Sequence, residues 1–238
     1  MKVVAKTHCG KVRPINEDRY LVPEEGDSIV LVADGMGGHK AGEVASETAA
    51  QTIRACAVKM HGREISIKTA LKWVRQANQI IYRMANEKPE CMGMGTTMTL
   101  LWEGEQRILI GHVGDSRAYY ITEAGITRIT KDHSLVESMV DHGDITADEA
   151  RRHPGRNLIT RALGRDTNAA CDGYIRPMEQ GDFILLCTDG LVNTVTDQEM
   201  LFEIVHGGDL DTCLDRLLHI SKSQGAPDNV TAVLMQKL

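Results

Sequence analysis

Hydrophobic and polar residues follow two textures along this chain. Residues 28–35, SIVLVADG, form an unbroken apolar run that ends on an acid and a glycine, the pattern of a strand buried on both faces. Residues 41–60 are alanine-rich with apolar positions at helical spacing. Residues 65–86 predict a second, longer amphipathic helix, with Ser66 suited to cap it. From 95 to 130 β-branched residues alternate with polar ones, punctuated by EGE, GDS and EAG, which predicts three or four antiparallel strands. Residues 132–164 are polar and helix-prone, with turn signals at His142-Gly143 and Pro154-Gly155. Strand texture returns at 182–190. Short helices are predicted near 197–205 and 210–221, and a strand, NVTAVLMQK, closes the chain. This order suits a central pair of sheets covered by helices. Strict β-α-β alternation is missing, which disfavours a doubly wound parallel fold. With no repeat, low-complexity tract or linker, 1–238 reads as one domain.

Composition narrows the function classes. At 42% hydrophobic and 25% charged, the 238 residues match ordinary soluble domains rather than disordered or membrane chains. A net charge of -6 argues against a nucleic-acid partner, because phosphate backbones need clustered Lys and Arg. No apolar run approaches the roughly 18 residues of a membrane span, and MKVVAKTHCGKVRP lacks the core of a secretory leader. The six cysteines are scattered without a C-x-x-C pair, so they read as reduced thiols of a cytoplasmic protein.

Four acids share one local setting. Asp34, Asp115 and Asp189 each follow an apolar run and precede a glycine or serine; Asp228 stands just before the last strand. A lone buried carboxylate either neutralises or finds a partner. An Asp-Gly pair by itself is only a turn signal. Four such acids at neighbouring strand ends would form a cluster that repels itself unless a cation sits in it. Oxygen-only ligation selects hard ions, Mg²⁺ or Mn²⁺. Gly35 could offer its carbonyl, since no side chain blocks it. Near the N-terminus, RPINED places Arg13 close to Glu17 and Asp18, a cationic fork beside acids that could hold a phosphate next to metal ions.

Together RPINEDRY, VADGMGGHKAG, GMGTTMTL, GHVGDSRAYY, the 132–164 segment, GDFILLCTDGL and APDNVTAVL run in order along nearly the whole chain. They resemble the metal-dependent type 2C serine/threonine protein phosphatases in their bacterial form. The resemblance implies an α+β fold, a four-layer αββα sandwich of two antiparallel β-sheets flanked by pairs of helices, with a flap at about 132–164. It implies a binuclear Mn²⁺ or Mg²⁺ centre bridged by Asp34, with the Gly35 carbonyl on one ion and Asp189 and Asp228 completing the other. Glu17 and Asp18 would act mainly through bound waters. Asp115 would hold a third, weaker ion with Asp189, Arg13 would grip the substrate phosphate, and Asn229 would support the Asp228 end.

The expected reaction is direct attack of a metal-activated water on a phosphoserine or phosphothreonine of a protein. Two metals lower the pKa of a shared water from 15.7 to about 7. In many eukaryotic members a histidine follows the Asp-Gly pair; here that place is Met36, which cannot donate a proton. His39, three residues later, is the candidate to protonate the leaving oxygen, orient a water or shape substrate binding. The expected partners are phosphorylated proteins, including a serine/threonine kinase and its substrates, met by a monomer with no nucleic acid and no membrane. A non-catalytic phosphoprotein-binding module, an anti-sigma-pathway phosphatase and a metal-dependent nuclease are the alternatives. The intact set Arg13, Asp34, Asp189 and Asp228 disfavours the first, the absence of a visible sensor domain the second, and the acidic charge balance the third.

Overall fold

A computed structural model describes residues 1–24, 28–37, 41–60 and 63–238. The chain runs through β1 (Lys2–His8), β2 (Arg19–Leu21), β3 (Ile29–Ala33) and β4 (Gly35–Met36) into α1 (Gly42–Val58) and α2 (Ile67–Glu87). A single 3₁₀ turn (Pro89–Cys91) leads to β5 (Gly95–Thr96), β6 (Met98–Glu103), β7 (Arg107–Val113), β8 (Arg117–Thr122) and β9 (Gly125–Arg128). Then come α3 (Leu135–His142), α4 (Ala147–Arg152), β10 (Asp172–Pro177), β11 (Phe183–Cys187), α5 (Asp189–Val192), α6 (Asp197–His206), α7 (Leu210–Ser223) and β12 (Val230–Gln236).

Among the described residues the strands build two five-stranded sheets, β1-β12-β11-β8-β9 and β10-β7-β6-β3-β2, plus the small β4-β5 pair. Every pairing is antiparallel. The central strands β3, β6, β11 and β12 read as solid apolar runs because both of their faces are buried. In β3, Ile29, Leu31 and Ala33 face the core under α1 and α2, while Val30 and Val32 face the opposite sheet. In β11, Leu185 and Cys187 face the helices α6 and α7, while Ile184 and Leu186 face inward. Three apolar layers therefore separate four structural layers: helix pair, sheet, sheet, helix pair. This is the αββα order the resemblance implied.

The helices cover the sheets for legible reasons. α1 buries Ala45, Ala49, Ile53 and Ala57, and the three alanines let it lie close to the sheet. α2 starts where Ser66 accepts a hydrogen bond from the Thr69 N–H, and it presses Trp73 edge-on against Trp102 of β6, ring centres 5.6 Å apart. Capping boxes at Thr146–Glu149 and Thr196–Glu199 start α4 and α6. Gly143, at φ 78°, ends α3 in the left-handed conformation glycine favours.

Several expectations on local structure need correction. β1, β2 and β10 were not predicted; β1 and β10 are sheet-edge strands with half-buried patterns, and β2 has only three residues. The strand predicted over 28–35 ends at Ala33, because the Asp34 N–H leaves the ladder for the Thr97 hydroxyl. The single turn α5 begins on Asp189, where the sequence showed only a strand end. The 132–164 segment holds α3 and α4, tied at its base by bridges Ser134–Ile159 and Thr96–Leu163. No helix among the described residues is long and apolar enough to cross a membrane.

Candidate metal centre

Asp34 sits where β3 runs out beside the start of β6. Its N–H donates to Thr97 Oγ1 at 2.9 Å, and its carbonyl accepts from the Thr97 N–H and the Thr96 hydroxyl, each at 2.9 Å. The backbone is thus fully committed, and the carboxylate is the only part left to do chemistry. Gly35 follows, its N–H on the Glu17 carbonyl at 3.2 Å. A side chain there would run into the Gly42 carbonyl and the Glu17 carbonyl. The glycine is therefore required for the close approach of α1, whatever its carbonyl does.

The structure brings Asp18, Asp115, Asp189 and Asp228 to Asp34. Asp18 is 3% exposed; its Oδ2 accepts from the Thr188 hydroxyl at 2.9 Å, one residue before Asp189. Asp115 is also buried, in the β7–β8 turn beside Ser116, whose hydroxyl pairs with Thr97 at 2.8 Å. Asp189 accepts from Asn193 Nδ2 at 3.1 Å. Oδ1 of Asp18, of Asp115 and of Asp189 is buried with no hydrogen-bond partner among the described residues. Such orphaned carboxylate oxygens are costly.

The titration behaviour agrees. Burial, then the charges of Asp18, Asp189, Asp115 and Asp228, holds the Asp34 carboxyl well above the usual carboxylate range. Burial, then Asp189 and Asp132, does the same to Asp115. Burial pushes Asp18 up to about 7 against hydrogen bonds from Thr231 and Thr188. Burial and Asp228 raise Asp189 to about 6, while the Asp34 hydrogen bond, Arg13 and Asn193 pull it down. A divalent cation relieves this repulsion. The donors are all oxygens, which suits a hard ion. Among the described residues no group of three or more His, Cys, Asp or Glu side chains stands arranged to hold a metal ion by itself.

The second half of the site hangs on Asn229. Its side-chain oxygen accepts the Glu17 N–H at 2.8 Å, and its amide donates to the carbonyls of Cys9 at 2.8 Å and Ile15 at 2.9 Å. It thereby staples the loop carrying Arg13, Glu17 and Asp18 to the start of β12. Arg13 Nη2 donates to Asp228 Oδ2 at 2.7 Å. The residue assigned to phosphate and the residue assigned to metal thus share a contact, and the half-exposed guanidinium makes no other hydrogen bond among the described residues. Asn229→Ala leaves three main-chain groups unpaired. It is expected to cost about 2–4 kcal/mol, a fall in Tm of about 5–15 °C by calorimetry.

One carboxylate here escaped the sequence reading. Glu43, in the first turn of α1, has a buried, unpartnered Oε2, and after burial its charge is the next cause raising Glu17. The Gly-Glu pair eight residues beyond the Asp-Gly turn was the only sign of it. His39 lies outside the described residues. His133 is structural: its Nδ1 accepts the Gly114 N–H and its Nε2 meets Asp172, each at 3.1 Å.

With this geometry in place, comparison with known proteins gives consistent results. The family profile for protein phosphatase 2C matches residues 7–235. The chain belongs to the protein phosphatase 2C family. Members of this family are metal-dependent serine/threonine protein phosphatases. The serine/threonine phosphatase stp of Listeria monocytogenes is 34% identical over 238 residues, covering 98% of this chain and 94% of that one. The crystal structure of the Mycobacterium tuberculosis serine/threonine phosphatase PstP/Ppp superposes with a TM-score of 0.91 at 35% identity, over 99% of this chain and 98% of that one. The catalytic domain of PstP, solved in complex with two manganese ions, superposes with a TM-score of 0.88 at 34% identity, over 98% and 96% of the two chains.

Proposed function

We propose that this chain removes phosphate from phosphoserine and phosphothreonine in proteins and so opposes a serine/threonine kinase in the cytoplasm. The observation that carries the reading is the set of orphaned oxygens on Asp18, Asp115 and Asp189 around Asp34. Asp34, the Gly35 carbonyl, Asp189 and Asp228 would hold two ions, Mn²⁺ or Mg²⁺, with Asp115 and Asp189 contributing to a third. When bound, these ions supply an ionised water near neutral pH and counter-charge for the phosphoryl oxygens. The rest falls to the chain. Arg13 would take the substrate phosphate with the guanidinium donors that Asp228 leaves over. Glu17 and Asp18 would accept hydrogen bonds from ordered waters, and His39 would serve the leaving oxygen. Asn229 keeps Arg13 in place across the site.

Six free thiols support the cytoplasmic assignment. The test is hydrolysis of phosphoserine, phosphothreonine and phosphotyrosine peptides by the purified chain, with Mn²⁺ and with EDTA. Turnover of the first two that requires Mn²⁺ is expected. Undiminished turnover in EDTA, or turnover of phosphotyrosine alone, would overturn the reading.

A further inference from the structure

The flap carries an unexplained concentration of charge. Between 151 and 165, RRHPGRNLITRALGR, there are five arginines and no acid, in a chain whose net charge is -6. Arg151, Arg152, Arg156, Arg161 and Arg165 are all exposed. Arg161 meets Asp172 at 3.3 Å. The other four make no ion pair among the described residues. Of the acids in the preceding limb, Glu137 pairs with Arg128, Asp141 with Lys131 and Glu149 closes the α4 capping box, while Asp144 and Asp148 are exposed and make no ion pair among the described residues. Arg151 and Arg152 complement the C-terminal end of α4, but no helix end explains Arg156, Arg161 or Arg165.

This basic limb borders the metal centre. Leu163 exchanges both backbone hydrogen bonds with Thr96, at 2.9 and 3.1 Å, and the Thr96 hydroxyl donates to the Asp34 carbonyl. The Arg165 stem and Met36 both flank Gly95, each 3.6 Å from where a Cβ would stand. Leu158, 58% exposed, adds an apolar contact between Arg156 and Arg161.

We propose that residues 151–165 dock the acidic residues that flank the phosphorylated side chain of a protein substrate, so that the enzyme selects phosphoserine and phosphothreonine set among Asp and Glu. The inference rests on the phosphatase reading above. A short acidic segment is favoured over a membrane or a nucleic acid because the rest of the chain is more acidic still than its net -6 and would repel an extended anion. A segment a few residues long meets only the limb.

The test compares two phosphothreonine peptides of equal length, one flanked by Asp and Glu, the other by Asn and Gln. The intact chain is expected to favour the acidic peptide about tenfold in kcat/KM at about 50 mM salt, with the ratio falling toward one at about 300 mM. In Arg152→Glu/Arg156→Glu the preference should vanish or invert. Should that variant fail to fold, the salt dependence of the unaltered chain decides. Equal kcat/KM on the two peptides at low salt overturns the proposal, as does a preference untouched by charge reversal. Equal kcat/KM with salt-sensitive binding to phosphatidylserine vesicles or an oligonucleotide would overturn it in favour of that partner. A chain that turned over neither p-nitrophenyl phosphate nor any peptide would contradict the phosphatase reading instead, and fluorescence anisotropy of the two peptides would then decide the docking claim by itself.

Discussion

Replacing Asp34 by asparagine is expected to lower kcat on p-nitrophenyl phosphate by about 10³-fold or more, while making the EDTA-treated protein more stable, not less. The first effect follows from the position. Four other carboxylates converge on Asp34, so removing its charge weakens the hold on a cation that supplies several kcal/mol of transition-state stabilisation. The second follows from the same crowding. A carboxyl held well above its ordinary range by burial and by four like charges destabilises the fold whenever it must ionise without a counter-ion. Asparagine keeps the shape and removes the charge. A gain of about 1–2 kcal/mol, or about 2–8 °C in Tm, is expected in EDTA. The pairing of lost turnover with raised stability separates a ligand from a structural residue. Full activity of Asp34→Asn would sink the proposed site. A Tm lowered in EDTA would show that Asp34 holds the fold together by its own hydrogen bonds.

Much of this was legible in the chain because burial leaves a mark on sequence. β3 and β11 are apolar on both faces, so an acid at their ends stands out, and Asp34 and Asp189 were visible as exceptions to a pattern. Strand texture interrupted by helices suggested a central pair of sheets covered by helices, and the resemblance supplied the four-layer order. What escaped lacks such contrast. β1 and β10 lie at sheet edges with half-buried patterns, and Pro177 ends β10 where no further ladder is needed. Glu43 looks like any acid in the first turn of a helix. The Arg13–Asp228 pair joins residues 215 positions apart, and only the β1–β12 pairing that unites the two ends of the chain brings them together. The arginines of 151–165 were plain to read, but their significance was not. It depends on four of the five standing exposed without an ion pair among the described residues and on Leu163 anchoring the limb beside Asp34, both of which are three-dimensional facts.

Mn²⁺ added to the EDTA-treated protein at pH 7.5 should raise Tm by about 5–11 °C at a concentration near 100 times its Kd at that pH, and the same concentration should raise it less at pH 5. Ligand linkage supplies the first number, about 2.7 kcal/mol, and the size of the domain converts it to degrees. The pH dependence follows from the direction of the shifts. Asp18 is pushed up to about 7 and Asp189 to about 6, above their values in an unfolded chain. The folded protein therefore binds protons more tightly than the unfolded one. That contribution is fully present below the ordinary carboxylate range and is lost as pH rises through about 6 and then about 7. Without metal, Tm should fall across this window. A cation needs the deprotonated carboxylates, so protons compete with it at pH 5 and release the site at pH 7.5. The two curves should diverge as the pH is raised. Differential scanning calorimetry at the two pH values, with Mn²⁺ and with EDTA, measures this without any substrate. Asp189→Asn should shrink both the metal-induced rise and its pH dependence, since it removes one carboxylate charge from the cluster and the group raised to about 6. An equal rise at both pH values would mean that the ion binds elsewhere, away from the carboxylates gathered around Asp34.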